Sequence, residues 1–267
     1  MDISYSACSH TGKVRNNNED NLYVDGITLL PDTRELPFSI DGNIYAPAIF
    51  AVCDGMGGED NGEIASQIAV DTLLKTQGNI KSNDYNDFYD EVRVCVKDAN
   101  EKINCKANEY GKRMGTTLAL AIVAERGIYC FNIGDSRIYC LRKSDFQQIT
   151  NDHTHLAMQE LYSTAGPSES VNNKAKHTLT RCIGIGNVYT AESYDPIFGA
   201  CRMLICSDGL SDMVSEKEIK HILQTESRTS EAAGALLSLA LKNGGKDNIT
   251  IIVLDAKSSK RTIFPWM

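Results

Sequence analysis

Five stretches of this 267-residue chain set a carboxylate at the edge of an apolar, strand-length run, beside glycine or asparagine. They are Glu19-Asp20 in RNNNEDNLYV, Asp54 in FAVCDGMGG, Asp135 in FNIGDSRIY, Asp208 in LICSDGLSD and Asp247 in KDNITIIVL. A single such residue reads as turn chemistry, because Asp and Asn side chains bond readily to nearby backbone. Five of them constrain far more. If the runs stack in one core, their ends meet on one rim. At about 4 Å and an effective dielectric near 20, each unpaired couple then costs about 4 kcal/mol. Hard oxygen donors of this kind suit Mg²⁺ or Mn²⁺. No His or Cys joins the motifs, which disfavours zinc. The stretch DGMGGEDNGEIA departs from the EF-hand pattern, which disfavours that kind of calcium site.

Arg15 lies four residues before Glu19 in the polar loop RNNNED. An arginine beside a carboxylate cluster can hold a phosphoryl group with two parallel bonds. The alternative is a surface salt bridge with Glu19.

The order of elements then limits the fold. Apolar runs predict strands at 2–8, 21–25, 47–53, 116–124, 127–133, 137–141, 146–149, 201–206 and 249–255. Helical patterns cover 62–76, 84–108, 153–165, 215–225 and 230–243. Strands between 116 and 149 follow one another so closely that antiparallel hairpins are expected. Helices come in pairs between blocks of strands, without βαβα alternation, so the expectation is a layered α+β domain. That single domain is expected to span 1–257, followed by a tail at 258–267. Residues 26–46 read as an inserted excursion with a hairpin turn at Asp41-Gly42. Residues 150–178 read as a polar, mobile surface lobe.

The net charge of −8, from 27 basic and 35 acidic residues, speaks against nucleic acid or an anionic membrane as partner. No apolar run approaches a membrane span, and MDISYSACSH lacks the features of a signal peptide. Nine cysteines form no CxxC pair, and four of them (Cys53, Cys130, Cys140, Cys206) fall in strand-like runs. Reduced, mostly buried thiols in a cytoplasmic protein are expected.

The motifs RNNNED, DGMGG, GTTLALAIV, NIGDSRIY, LTRCIG, SDGL and KDNIT occur in this order over roughly residues 3–255. Together they resemble the PPM family of metal-dependent protein serine/threonine phosphatases, also called the protein phosphatase 2C type, in its bacterial form. The resemblance implies a four-layer α-β-β-α sandwich of two central antiparallel sheets flanked by helices. It also implies two Mn²⁺ or Mg²⁺ ions per chain, with a third, weaker site. Asp54 matches the bridging ligand and Gly55 the carbonyl ligand. Asp208 and Asp247 match the carboxylates that complete the other ion. Glu19 and Asp20 match the pair acting mainly through water, and Asp135 matches the ligand of the third metal. Arg15 matches the phosphate-binding arginine, and 150–178 the flap. The implied activity is one-step hydrolysis of phosphoserine and phosphothreonine monoesters by a metal-activated water. The implied partners are phosphoproteins, a Ser/Thr protein kinase among them, served by a monomer.

Three departures from the family pattern stand out. Met56 replaces the histidine of animal relatives after the DG. The segment before LTRCIG reads NNKAKHT rather than an EAxxHP-type stretch. The 26–46 segment is longer than the minimal bacterial form. The histidines His153, His155 and His177 read as surface residues, with proton donation to the leaving group as the alternative. Two other functions stay open beside the phosphoprotein phosphatase: a pseudophosphatase acting as a binding module, and a hydrolase of a small phosphate ester.

Overall fold

The computed structural model describes residues 1–57, 61–79, 85–162 and 178–257. In chain order the strands are β1 (Asp2–His10), β2 (Asp20–Val24), β3 (Ile27–Thr28), β4 (Phe38–Tyr45) and β5 (Ala48–Gly57). Helices α1 (Gly62–Thr76) and α2 (Tyr85–Tyr110) follow. Then come β6 (Met114–Thr116), β7 (Leu118–Val123), β8 (Ile128–Ile133), β9 (Arg137–Arg142), β10 (Asp145–Gln148) and α3 (His155–Tyr162). The described residues end with β11 (Glu192–Ser193), β12 (Cys201–Cys206), the short α4 (Asp208–Ser211), α5 (Glu216–Thr225), α6 (Thr229–Lys242) and β13 (Ile249–Lys257).

Two sheets result, and every pairing in them is antiparallel. One has the order β10-β9-β12-β13-β1-β4; the other has the order β11-β8-β7-β5-β2-β3, with β6 joined to β5. Strands β7 and β8 are buried along their whole length, and most of β5, β12 and β13 is too, because both faces are covered, which removes the usual alternation of buried and exposed positions. Within β5, Phe50 and Val52 enter the core between the sheets with Leu22, Ile138 and Ile205. Ile49, Ala51 and Cys53 take the other face, against Ala65 and Ala69 of α1 and Val92 of α2. A third core packs Leu204, Cys206 and Ile251 under Ile219 and Leu223 of α5 and Leu236 of α6. The layers are therefore α-β-β-α, as the resemblance implies. All nine cysteines are free, eight of them buried and Cys105 exposed.

Several local expectations change. Strands β8 and β9 are not a hairpin: β8 belongs to one sheet and β9 to the other, so the chain crosses between sheets at residues 134–136. Gly134 makes this crossing with φ +101, a conformation that side chains resist. Asp41-Gly42 does not turn the chain either. Both lie within β4, where Gly42 pairs with Tyr5 and Asp41 with Ser6. The glycine serves packing there, since a Cβ on it would sit 2.7 Å from the Tyr5 hydroxyl. Of the helix expected at 153–165, His155–Tyr162 forms α3; His153 and Thr154 precede it, with Thr154 in a bridge to Leu179, and 163–165 lie outside the described residues. So do positions 163–177 of the 150–178 lobe, His177 among them, and the tail 258–267.

One ion pair ties a helical layer to its sheet. Arg202 of β12 stands opposite Asp255 of β13 and meets it with Nε–Oδ1 at 2.7 Å and Nη2–Oδ2 at 2.8 Å. The same guanidinium donates to the carbonyls of Leu223 and Ser227, holding the link between α5 and α6. Both side chains are largely buried, so removing one partner strands a charge. Arg202→Met is expected to cost about 3 kcal/mol in urea-induced unfolding; a loss within error of zero would contradict this placement.

Candidate metal centre

The antiparallel registers decide where the acids meet. In the helix-α1 sheet, β2 begins where β5 ends, and Asp20 pairs directly with Asp54. In the other sheet β12 ends where β13 begins, with Cys206 opposite Ile251. Asp208 lies two residues beyond β12 and Asp247 two residues before β13, so both reach the same edge. Asp135 sits in the crossing from β8 to β9, between the sheets. Arg15, Glu19, Asp54, Gly55, Asp135, Asp208 and Asp247 line one cleft of about 960 Å³. Asp20 lies beneath it, 1% exposed.

Neutral polar groups hold these acids in place. The Asp54 backbone N–H donates to Thr117 Oγ1 at 2.9 Å, and its carbonyl accepts from Thr117 N at 2.9 Å and Thr116 Oγ1 at 3.0 Å. Glu19 N donates to Asn248 Oδ1 at 2.8 Å, while Glu19 Oε1 accepts from Gly62 N at 3.1 Å. Asn248 Nδ2 in turn donates to the carbonyls of Thr11 and Asn17, both at 2.8 Å. The Ser207 hydroxyl donates to Asp20 Oδ2 at 2.7 Å and accepts from Thr250 N at 3.0 Å, joining the two sheets under the cleft. Two glycines permit the close packing. A Cβ on Gly55 would stand 2.1 Å from the Gly62 carbonyl oxygen, and one on Gly209 1.9 Å from that of Asn248.

Electrostatically the site is unfinished. Burial, then the charges of Asp20, Asp208 and Asp135, raise the Asp54 carboxyl well above its ordinary range. Burial likewise pushes Asp20 up to about 7, against the Ser207 bond that favours its charge. Asp135 is pushed up to about 8, by burial first and Asp208 next. Asp20 Oδ1 is buried with no hydrogen-bond partner. Among the described residues, Glu19 and five aspartates share the cleft with three cationic side chains, Arg15, Arg181 and Lys246. No three Asp, Glu, His or Cys side chains among the described residues are gathered as a complete ligand set. An all-oxygen donor set, a stranded carboxylate oxygen and a glycine-lined approach to the Gly55 carbonyl fit hard divalent cations.

Arg15 does not take Glu19 as its partner. Its Nη2 donates to Asp247 Oδ2 at 2.7 Å, with both side chains part-exposed. His153 is not a surface residue: it is 8% exposed, its Nδ1 accepts from Gly134 N at 3.0 Å, and its Nε2 meets Glu192 Oε2 at 2.6 Å. It props the β8–β9 crossing and does not line the cleft. Of the groups that orient the acids, Asn248 is the asparagine beside Asp247 in KDNIT, whereas Ser207 and Thr117 carry no acidic-pattern signal.

The Protein phosphatase 2C family model matches residues 43–242. The serine/threonine phosphatase stp of Listeria monocytogenes is 31% identical over 253 residues, covering 91% of this chain and 92% of that protein. The solved serine/threonine phosphatase PstP of Mycobacterium tuberculosis is 31% identical, with a TM-score of 0.78 over 96% of this chain and 100% of that one. A structure of the PstP catalytic domain in complex with two manganese ions gives a TM-score of 0.76 at 30% identity, with 96% and 100% covered. This chain belongs to the protein phosphatase 2C family.

The rim electrostatics set a pH dependence for protein stripped of divalent cations. A carboxyl whose folded value is raised contributes stability while protonated, fully so below its unfolded value. That contribution is lost as pH rises through the folded value, about 7 for Asp20 and about 8 for Asp135. The melting temperature of chelator-treated protein is expected to fall between about pH 5 and 8, and Mn²⁺ to remove the fall. A flat or rising profile in this window, measured by calorimetry, would contradict it.

Proposed function

We infer that this chain hydrolyses phosphoserine and phosphothreonine in proteins, in a reaction that depends on divalent cations. The observation that carries this is the convergence of Asp54, Asp208 and Asp247 with Glu19, Asp135 and Arg15 on one open cleft, over the stranded oxygen of Asp20. Asp54, Gly55, Asp208 and Asp247 are the residues that would hold two Mn²⁺ or Mg²⁺ ions. Glu19 and Asp20 would act mainly through water, and Asp135 would hold a third ion. When bound, such ions would supply Lewis-acid charge and activate a water for attack on phosphorus.

The chain's own residues do the rest. The strand ends hold the carboxylates rigid, so that they need no rearrangement when the phosphoryl group arrives. Arg15 spends one nitrogen on Asp247, which fixes the guanidinium beside the acids and leaves its other donors for phosphoryl oxygens. Met56 lines the cleft, and among the described residues no histidine does. No cysteine or serine is needed as a nucleophile. Cys53 is fully buried with its thiol pushed up by burial, and Ser136 is bonded to Thr117.

In this reading the chain acts as a monomer on phosphoproteins, a serine/threonine protein kinase among them. The free thiols support a reducing, cytoplasmic setting. Among the described residues no helix is long and apolar enough to cross a membrane.

Chelator-treated protein is expected to release no phosphate from a phosphothreonine peptide, and Mn²⁺ to restore release. Asp208→Asn and Asp247→Asn should each lower kcat by about 100-fold or more while circular dichroism stays unchanged. Full turnover without cations, or near-normal rates in these variants, would overturn the assignment. Arg15→Ala is expected to raise KM for the peptide about ten-fold, through loss of a charge-assisted pair, with a smaller effect on kcat. An unchanged KM would reduce Arg15 to a structural partner of Asp247.

A further inference from the structure

Arg34 is unexplained by the site as drawn so far. It follows the short 3-10 turn Pro31–Thr33, is 4% exposed, and makes none of its hydrogen bonds to a carboxylate. Its Nη1 donates to the Glu63 carbonyl at 2.8 Å and to Ser66 Oγ at 3.3 Å, and its Nη2 donates to Gln67 Oε1. Its Nε is buried without a partner. Enclosing a guanidinium among groups that do not carry the opposite charge is unfavourable, so packing of a loop does not account for it. The opposite charges that reach it are those of Glu63, Asp20 and Asp71.

Each of its contacts leads to the acidic pair. Ser66 Oγ donates to the Glu19 carbonyl at 2.7 Å. Gly62, in the same first turn of α1 as Glu63, donates to Glu19 Oε1 at 3.1 Å. Gln67 Oε1 also accepts from Asn21 Nδ2 at 3.0 Å, on the far side of Asp20. From the backbone side, the Arg34 carbonyl accepts from Asn18 Nδ2 at 3.2 Å, and Asn18 Oδ1 accepts from Asp20 N at 3.2 Å. Arg34 thus bonds both α1 and the segment 18–21 that carries the acids.

We propose that Arg34 is a positioning residue, which clamps the segment 18–21 to the first turn of α1 and holds Glu19 and Asp20 where the cations bind. The proposal rests on the cation-dependent reading above and gives the 26–46 segment a role in it. The guanidinium adds positive charge near Asp20 without entering the cleft.

The test is Mn²⁺ titration of chelator-stripped protein by isothermal calorimetry, beside kcat and KM for a phosphothreonine peptide at saturating Mn²⁺. Arg34→Met is expected to weaken at least one Mn²⁺ by about ten-fold or more. Its kcat should recover when Mn²⁺ saturates, and its KM should stay that of wild type. Arg34→Lys, which keeps the charge and loses the fork, should fall between the two. If Arg34→Met fails to fold, Ser66→Ala carries the test, with Mn²⁺ expected to weaken by about three-fold. Wild-type Mn²⁺ affinity in the folded variant used overturns the proposal alone. Wild-type protein that takes up no Mn²⁺ overturns the functional reading and the proposal with it.

Discussion

Repulsion among carboxylates that the fold will not let separate is the constraint on which this molecule depends. Asp20 and Asp54 are register partners on adjacent strands, and Asp208 and Asp247 flank the neighbouring ends of β12 and β13. Behind them the strands are buried on both faces, so no strand can slip or bend to relieve the charge. A one-residue shift would turn every core side chain to the wrong layer. Burial raises the pKa of Asp54, Asp20 and Asp135 together. The rim therefore carries protons or cations, and near neutral pH a divalent ion neutralises more charge per site than protons do.

The polar groups around the rim have the task of orientation. Ser207 bridges Asp20 and the backbone of β13, Asn248 holds the backbone of Glu19, and Thr117 holds that of Asp54. None of them can neutralise an acid. They leave carboxylate oxygens directed at the cleft, and in Asp20 one oxygen is left with no partner at all. Arg15 and Arg34 approach from different sides: the first lines the cleft, and the second is buried against α1. A preorganised anionic site with Arg15 fixed beside the acids suits an ester that brings its own negative charge once cations are bound.

Much of this was legible in the sequence because strands buried on both faces read as continuous apolar runs, and their acidic ends stand out against them. The layered α+β class and the cleft residues Asp54, Asp135, Asp208 and Asp247 came from that contrast. What was not legible depended on partners distant in sequence. Asp41-Gly42 has the composition of a turn, yet pairing with Tyr5 and Ser6 of β1 keeps it extended. The β8–β9 link is as short as a hairpin, yet Gly134 and the His153 prop send β9 to the other sheet. Strands β3, β6 and β11 have two or three residues each, too few to show a period. Arg34 carried no local signal, because its meaning lies in the groups of α1 that it bonds.

The most direct measurement is anomalous diffraction from crystals grown with Mn²⁺. Two strong peaks are expected on either side of the Asp54 carboxylate, one within reach of the Gly55 carbonyl and one near Asp208 and Asp247. An additional weaker peak at Asp135 fits the third site. Crystals that diffract well but show no manganese at Asp54 would contradict the view that this rim is built to hold divalent cations.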